Sequence, residues 1–213
     1  MKEIFPAVFM EGNKIYTKNL VPGEKVYGEK LVNDKREWVA ERSKLAAAII
    51  KGLKDMPIKK KSRILYLGAS TGTTVSHVSD IIGSDGIVYA VEFAERVFHN
   101  LIDLAKTRKN IVPIHADARK PEGYPWVEEC DAVYCDIADP QESEIAIRNA
   151  KEFLKKGGYV FVAIKSQSID VTKPPQQVYK EESEKLKKAG LEVLQLIDLE
   201  PYEQKHAMIV AKK

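Results

Sequence analysis

The sequence predicts an α/β chain in which a small antiparallel sheet precedes a mostly parallel sheet covered by helices on both faces. Three observations predict it. From Arg63 onward the spacing of apolar residues alternates between strand-like and helix-like, as expected of parallel strands joined by crossover helices. The run Ile64-Leu65-Tyr66-Leu67 stops at Gly68, and Ala69-Ser70-Thr71-Gly72-Thr73-Thr74 then reads as a tight turn opening a helix. A second apolar run, Ile87-Val88-Tyr89-Ala90-Val91, ends in Glu92, 20 positions beyond Gly72, the layout of a nucleoside-binding crevice.

The elements follow in order. Short alternating runs at Ile4 to Met10, Lys14 to Thr17 and Val26 to Val32 are separated by Glu11-Gly12-Asn13 and Pro22-Gly23-Glu24, turn compositions that fit antiparallel strands. Ser43 to Leu53 carries Leu45, Ala48, Ile49 and Leu53 at helical spacing and closes at Pro57, so it predicts one amphipathic helix. Beyond it the strands are expected at 64–67, 87–91, 111–114, 131–135, 159–164, 191–198 and 206–211, and the helices at 74–82, 94–106, 141–155 and 175–189. The chain divides into 1–56, a β-rich unit with its linking helix, and 57–213, the main α/β unit.

Length and composition fit that division. The 213 residues, 44% hydrophobic and 31% charged, can bury a sizeable core. No apolar stretch approaches the roughly 20 residues of a spanning helix, and Met1-Lys2-Glu3-Ile4-Phe5-Pro6 has no apolar core of signal-peptide length, so a cytoplasmic location is expected. Cys130 and Cys135 are the only cysteines; their separation points them to opposite faces of a strand and predicts buried free thiols. With 34 Lys+Arg against 31 Asp+Glu the net charge is +3, so contact with nucleic acid must come from local patches. Lys59-Lys60-Lys61, Lys106-Thr107-Arg108-Lys109 and Lys165 with Lys173 are the candidates, each also readable as a solvated face.

The loop G-A-S-T-G places side chains where a pyrophosphate requires bare backbone, which favours a nucleoside without phosphates. S-adenosylmethionine fits. Open α/β sheets bind ligands at the carboxyl ends of their strands, and there stand the glycine loop, Glu92-Phe93, Asp117-Ala118, Asp136-Ile137-Ala138-Asp139 and Lys165-Ser166. Glu92 is placed to accept ribose hydroxyls. Asp117 either accepts from an adenine amino group, with Ala118 leaving room for the ring, or caps a loop; Phe93 either covers the adenosine or plugs the core. Lys165 emerges from the apolar run Tyr159 to Ile164, so it needs a carboxylate nearby. Asp136, ending the neighbouring strand, can supply one, and Lys44 on the first helix can approach the same crevice. Such a lysine–aspartate–lysine group can hold and polarise a sugar hydroxyl for attack on a methyl group; for any one lysine, a salt bridge at a sheet edge is the alternative. His77, His99, His115 and His206 are dispersed, and no metal set is visible.

Several segments carry a family resemblance: Thr17-Lys18-Asn19-Leu20-Val21-Pro22-Gly23, Val26-Tyr27-Gly28-Glu29, Arg42-Ser43-Lys44-Leu45, Leu65-Tyr66-Leu67-Gly68 with Gly72-Thr73-Thr74, Ser76-His77-Val78-Ser79-Asp80, Lys165-Ser166 with Ser168 to Lys173, and Leu199-Glu200-Pro201-Tyr202-Glu203. In these the chain resembles, over essentially its full length, the archaeal fibrillarins, guide-directed RNA 2′-O-methyltransferases. The resemblance implies a Rossmann-like, S-adenosylmethionine-dependent methyltransferase fold whose seven-stranded sheet is mostly parallel with the last strand antiparallel, preceded by a small antiparallel β domain. It places Gly68, Ala69, Gly72, Thr73, Thr74, Glu92, Phe93, Asp117, Ala118, Asp136, Ile137, Ala138 and Asp139 at cofactor-binding positions, and Lys44, Asp136 and Lys165 at catalytic ones. His206 and Glu203 are candidates for a fourth catalytic member. Asp139 stands where the family usually carries glutamine. Implied partners are a Nop-domain scaffold protein, a kink-turn-binding protein, a box C/D guide RNA and the rRNA or tRNA that it pairs with. A small-molecule methyltransferase and a non-catalytic RNA-binding module are the rival readings.

Overall fold

The computed structural model describes residues 1–213. Five strands, β1 (Lys2–Phe5), β2 (Val8–Glu11), β3 (Lys14–Lys18), β4 (Leu31–Val32) and β5 (Lys35–Trp38), form an antiparallel sheet in the order β1-β2-β3-β5-β4. The run expected as one strand from Ile4 to Met10 is two, because Pro6 has no N–H for a ladder and Ala7 turns the chain at φ +62°. Only the last two residues of the Val26 to Val32 run pair as a strand. The remainder is drawn into a loop by the Glu29 carboxylate, which accepts from the backbone N–H groups of Val26 at 3.0 Å and Tyr27 at 2.8 Å. β5 was not expected, since Lys35-Arg36-Glu37 reads as exposed; Arg36 is instead fully buried and donates to Glu29 at 2.6 Å.

Helix α1 (Lys44–Ile50) begins at Ser43, whose hydroxyl accepts from the Ala46 N–H, an N-cap. It stops three residues short of Leu53, where Gly52 adopts φ +95°. The second sheet contains β6 (Arg63–Leu67), β7 (Ile87–Glu92), β8 (Ile111–His115), β9 (Cys130–Cys135), β10 (Leu154–Lys165), β11 (Glu192–Asp198) and β12 (His206–Lys212), in the order β11-β12-β10-β9-β6-β7-β8. Pairings from β10 through β8 are parallel, and β12 lies antiparallel to both β10 and β11. Between them run α2 (Thr73–Ile82), α3 (Glu95–Thr107), α4 (Glu142–Phe153), a short turn α5 (Ser166–Ile169) and α6 (Pro175–Lys188). β10 starts earlier than its apolar run suggests, through an irregular stretch between Leu154 and Tyr159.

Two buried apolar clusters fill the faces of the large sheet. One joins the inner sides of β6, β9 and β10 with α1, α2 and residues Val8, Ile15 and Trp38 of the small sheet. The other joins the opposite side with α4 and α6. Cys130 and Cys135 are both free, buried and members of that second cluster. Their expected opposite orientation fails because Cys130 lies before the register shift that separates it from the regular ladder. Strand order reverses between β6 and β9, so the crevice of this topology opens at their carboxyl ends. No helix is long and apolar enough to cross a membrane.

Candidate active site at the carboxyl ends of the strands

A cleft of about 470 Å³ opens at that reversal, lined among others by Gly68, Glu92, Phe93, Asp117, Ala118 and Asp136 to Asp139. Two backbone segments shape its floor. Gly68 and Ala69 both donate to the Val91 carbonyl, at 2.9 and 3.0 Å, and the Glu92 carboxylate accepts from Ser70 N–H and Ala94 N–H, each at 2.7 Å. Glu92 thus ties the glycine loop to the β7 end, and each of its oxygens keeps a second lone pair facing the cleft for a ribose hydroxyl.

The two glycines serve the fold more than a ligand. Gly68 has φ +80°, and a Cβ there would lie 2.5 Å from the Asp136 carbonyl oxygen. Its bare backbone lets the end of β9 rise beside β6, where Asp136 N–H donates to the Leu67 carbonyl. Gly72, at φ +89°, would drive a Cβ into Leu104 of α3, so it faces that helix rather than the cleft. Ala69 is buried, Thr73 borders a separate cavity with Lys25, Tyr27 and Thr71, and the Thr74 hydroxyl donates to Ser43 at 2.9 Å. None of these four lines the main cleft; the Thr74 bond anchors the start of α1, and with it Lys44.

At the adenine-sized end, Phe93 is 64% exposed, which removes the reading in which it plugs the core. Asp117 is held by Arg119, whose Nε lies 2.9 and 3.0 Å from its two oxygens, and this partner keeps its carboxyl below the ordinary value. Asp139 accepts from Gln141 N–H at 2.8 Å at the start of α4 and lies 3.9 Å from Arg119. The extra acid at position 139 is therefore matched by a cation spanning two carboxylates. Arg119 was missed in the sequence, although its i, i+2 spacing from Asp117 was a usable signal.

The charged group expected at the mouth is assembled. Lys165 Nζ lies 2.7 Å and Lys44 Nζ 3.3 Å from the same oxygen of Asp136, with all three side chains about 14–15% exposed. Burial pushes the Asp136 carboxyl up, yet the charges and hydrogen bonds of the two lysines outweigh it and hold it below its ordinary value. Glu203 stands 3.9 Å from Lys44 and 3.3 Å from His206 Nδ1, and His206 pairs in register with Lys165 across β12 and β10. Sequence reasoning missed Ser70, Ala94, Ala116 and Arg119 in the lining. No group of three or more His, Cys, Asp or Glu is placed to hold a metal ion.

The family model of fibrillarin matches residues 1–213. The chain belongs to the fibrillarin family. A fibrillarin-like rRNA/tRNA 2′-O-methyltransferase of Sulfolobus acidocaldarius is 53% identical, the match covering 98% of this chain and 93% of that protein. The crystal structure of Aeropyrum pernix fibrillarin with natively bound S-adenosyl-L-methionine superposes with TM-score 0.86 at 46% identity, covering 99% of this chain and all of that one. The crystal structure of a fibrillarin/Nop5p complex gives TM-score 0.88 at 41% identity, with 99% of each chain covered. The family likeness thus spans both sheets.

Proposed function

We propose that this chain transfers the methyl group of S-adenosylmethionine to the ribose 2′-hydroxyl of rRNA and tRNA nucleotides, within a ribonucleoprotein directed by box C/D guide RNA. The observation that carries the reading is the convergence of Lys44 and Lys165 on one oxygen of Asp136, which itself lines the cleft. The Aeropyrum pernix relative with its bound cofactor supports the choice of nucleoside. So do the side chains of Ala69 to Thr71 in the loop, which leave no bare backbone for a pyrophosphate.

In this proposal Glu92 accepts the ribose hydroxyls of the cofactor, Ala118 and Ile137 flank its adenine, Phe93 covers it, and Asp136 to Asp139 form the opposite wall. Asp117 serves the adenine amino group once Arg119 turns outward, a movement its 52% exposed side chain allows. When bound, S-adenosylmethionine supplies an electrophilic methyl carbon on a sulfonium. Lys165, as the amine, takes the proton from the 2′-hydroxyl while Lys44 and Asp136 hold the oxygen in line. Asp136 keeps both lysines aimed at the mouth, and Glu203 with His206 flank Lys44 from the β12 side. Proximity of this kind supplies a large share of a transfer barrier, and general base action adds about 10²–10⁴-fold.

The division at residue 56 fits this chemistry, since 57–213 would hold the cofactor while 1–56 lends Lys44 through α1. The fibrillarin/Nop5p complex supports a Nop-domain scaffold as partner. A kink-turn-binding protein and the guide RNA complete the proposed assembly, which fits a chain whose net charge is only +3; sequence choice is then left to base pairing, and the 2′-hydroxyl restricts the reaction to RNA. The proposed setting is the cytoplasm. Reconstitution with scaffold, kink-turn protein and guide tests the reading: the guided nucleotide gains a 2′-O-methyl group with wild-type protein and not with Lys165→Ala, while assembly is unchanged. Equal methylation by the variant would remove Lys165 as the base.

A further inference from the structure

One buried acid beside the reaction centre has no part in the mechanism above. Glu142 opens α4 and is 0% exposed, and neither of its carboxylate oxygens has a hydrogen-bond partner. Buried polar groups are almost always paired, and an exception next to a site calls for a functional explanation. Glu142 is set among charges. Lys165 of β10 and Asp136 at the end of β9 act on it from the reaction centre, Glu182 acts on it from α6, and Cys135 of β9 lies 3.7 Å from its backbone carbonyl. Glu182 is nearly as buried: Oε1 is held by Lys185 at 2.7 Å, while Oε2 has no partner. Lys185 also holds Glu144 at 2.9 Å and is 38% exposed. Lys165, Glu142, Glu182 and Lys185 thus form a line of ionisable groups from the mouth of the cleft, between α4 and α6, to the surface.

Methyl transfer releases one proton for every turnover, at a mouth covered by cofactor on one side and RNA on the other. We infer that Glu142 and Glu182 are positioning residues that carry this proton from Lys165 to solvent through the body of the protein. The inference rests on the proposed role of Lys165 as base. The 2′-O–H bond breaks as the O–CH₃ bond forms, and the proton becomes an N–H of Lys165. Lys165 then gives a proton to one oxygen of Glu142 as the proton on the other oxygen passes to Oε2 of Glu182. Glu182 releases it at the exposed edge beside Lys185, and the amine of Lys165 is restored. A carboxylic acid suits the middle position because it accepts at one oxygen while donating from the other. Burial, reinforced by Asp136 and Glu182 and opposed by Lys165, holds Glu142 protonated well above the ordinary carboxylate range.

The test uses the reconstituted ribonucleoprotein, comparing Glu142→Gln and Glu182→Gln with wild type in single-turnover methylation in H₂O and D₂O. Each amide keeps the shape but cannot relay a proton. The expected result is at least a tenfold slower transfer, within the range of proton-transfer contributions, with a larger solvent isotope effect, unchanged S-adenosylmethionine binding, and recovery in Glu142→Asp. A wild-type rate in both amide variants, or a slowed rate with an unchanged isotope effect, overturns the relay. Glu182→Gln decides the matter should Glu142→Gln fail to fold. Lys165→Ala separates the two readings: an active Lys165→Ala defeats the base itself, whereas an inactive one beside fully active amide variants defeats only the relay.

Discussion

At the scale of single residues, the site is a set of charges whose partners are already chosen. Glu92 holds two backbone N–H groups while keeping lone pairs for a ligand, so Glu92→Ala is expected to weaken S-adenosylmethionine by about 1–3 kcal/mol, read by calorimetry. Unchanged affinity would exclude it from the ribose contact. Arg119 neutralises Asp117 and Asp139 across the same cleft. Lys44, Asp136 and Lys165 were legible in the sequence because lysines and an acid ending apolar strands have few places to go other than toward each other. Glu142 was not legible. A glutamate in the first turn of a helix reads as an exposed acid favoured by the helix dipole, and only the packing of α6 over it shows that it is sealed in.

At the scale of elements, the strands and helices after Arg63 were readable because their apolar period follows the geometry of what they pack against. The N-terminal sheet was readable only in outline, since its pairing is fixed by buried charge that a hydropathy pattern reports as surface. Arg36 on β5, Asp80 on α2 and Arg108 after α3 show this. Asp80 accepts from Arg36 at 3.1 Å, Arg108 at 2.6 Å, Thr17 at 2.7 Å and the Leu20 N–H at 2.9 Å. Asp80→Ala leaves two buried guanidinium groups short of their anion, and a loss of about 3–5 kcal/mol is expected, read as a lower urea midpoint; a wild-type midpoint would show that the small sheet is held by its apolar contacts alone. The glycine loop offers a second case. Gly68→Ala imposes a left-handed conformation on alanine and a clash with the Asp136 carbonyl, so it is expected to cost at least about 1–2 kcal/mol and to displace Asp136, lowering both stability and methyl transfer.

At the scale of the whole molecule, two buried groups set an opposed dependence of stability on pH. His77 is sealed between the sheets with Trp38 stacked at 4.9 Å. Thr17 spends its hydroxyl proton on Asp80, so it accepts from His77 Nδ1–H at 2.7 Å and leaves Nε2 to the Tyr27 hydroxyl. Burial, then Arg36 and Arg108, hold its imidazole well below its ordinary value of 6.5. The unfolded chain therefore takes up a proton below pH 6.5 that the folded chain refuses, and this contribution is full above 6.5 and lost on acidification. Glu142 acts the other way. Its folded value is raised above 4.5, so its contribution is full below 4.5 and lost as pH climbs toward the folded value. Between pH 4.5 and 6.5 the two proton counts cancel, and neither group tilts the stability. In Glu142→Gln the cancellation ends, and stability is expected to fall by about 1.4 kcal/mol per unit of acidification below pH 6.5, measured by urea unfolding. An unchanged profile would place Glu142 outside the sealed interior.

The proposed chemistry needs Lys44 and Lys165 to act as a unit through Asp136, and a mutant cycle on guided methylation tests this most directly. Lys44→Ala, Asp136→Asn, Lys165→Ala and the triple variant are compared in single turnover, with cofactor binding and assembly verified for each. Residues that grip one oxygen together lose their effect together, so Lys165→Ala is expected to fall by about 10²-fold or more and the triple variant to be scarcely slower. Rates close to wild type in Lys165→Ala, or three losses that simply multiply, would contradict a shared reaction centre at the mouth of the cleft.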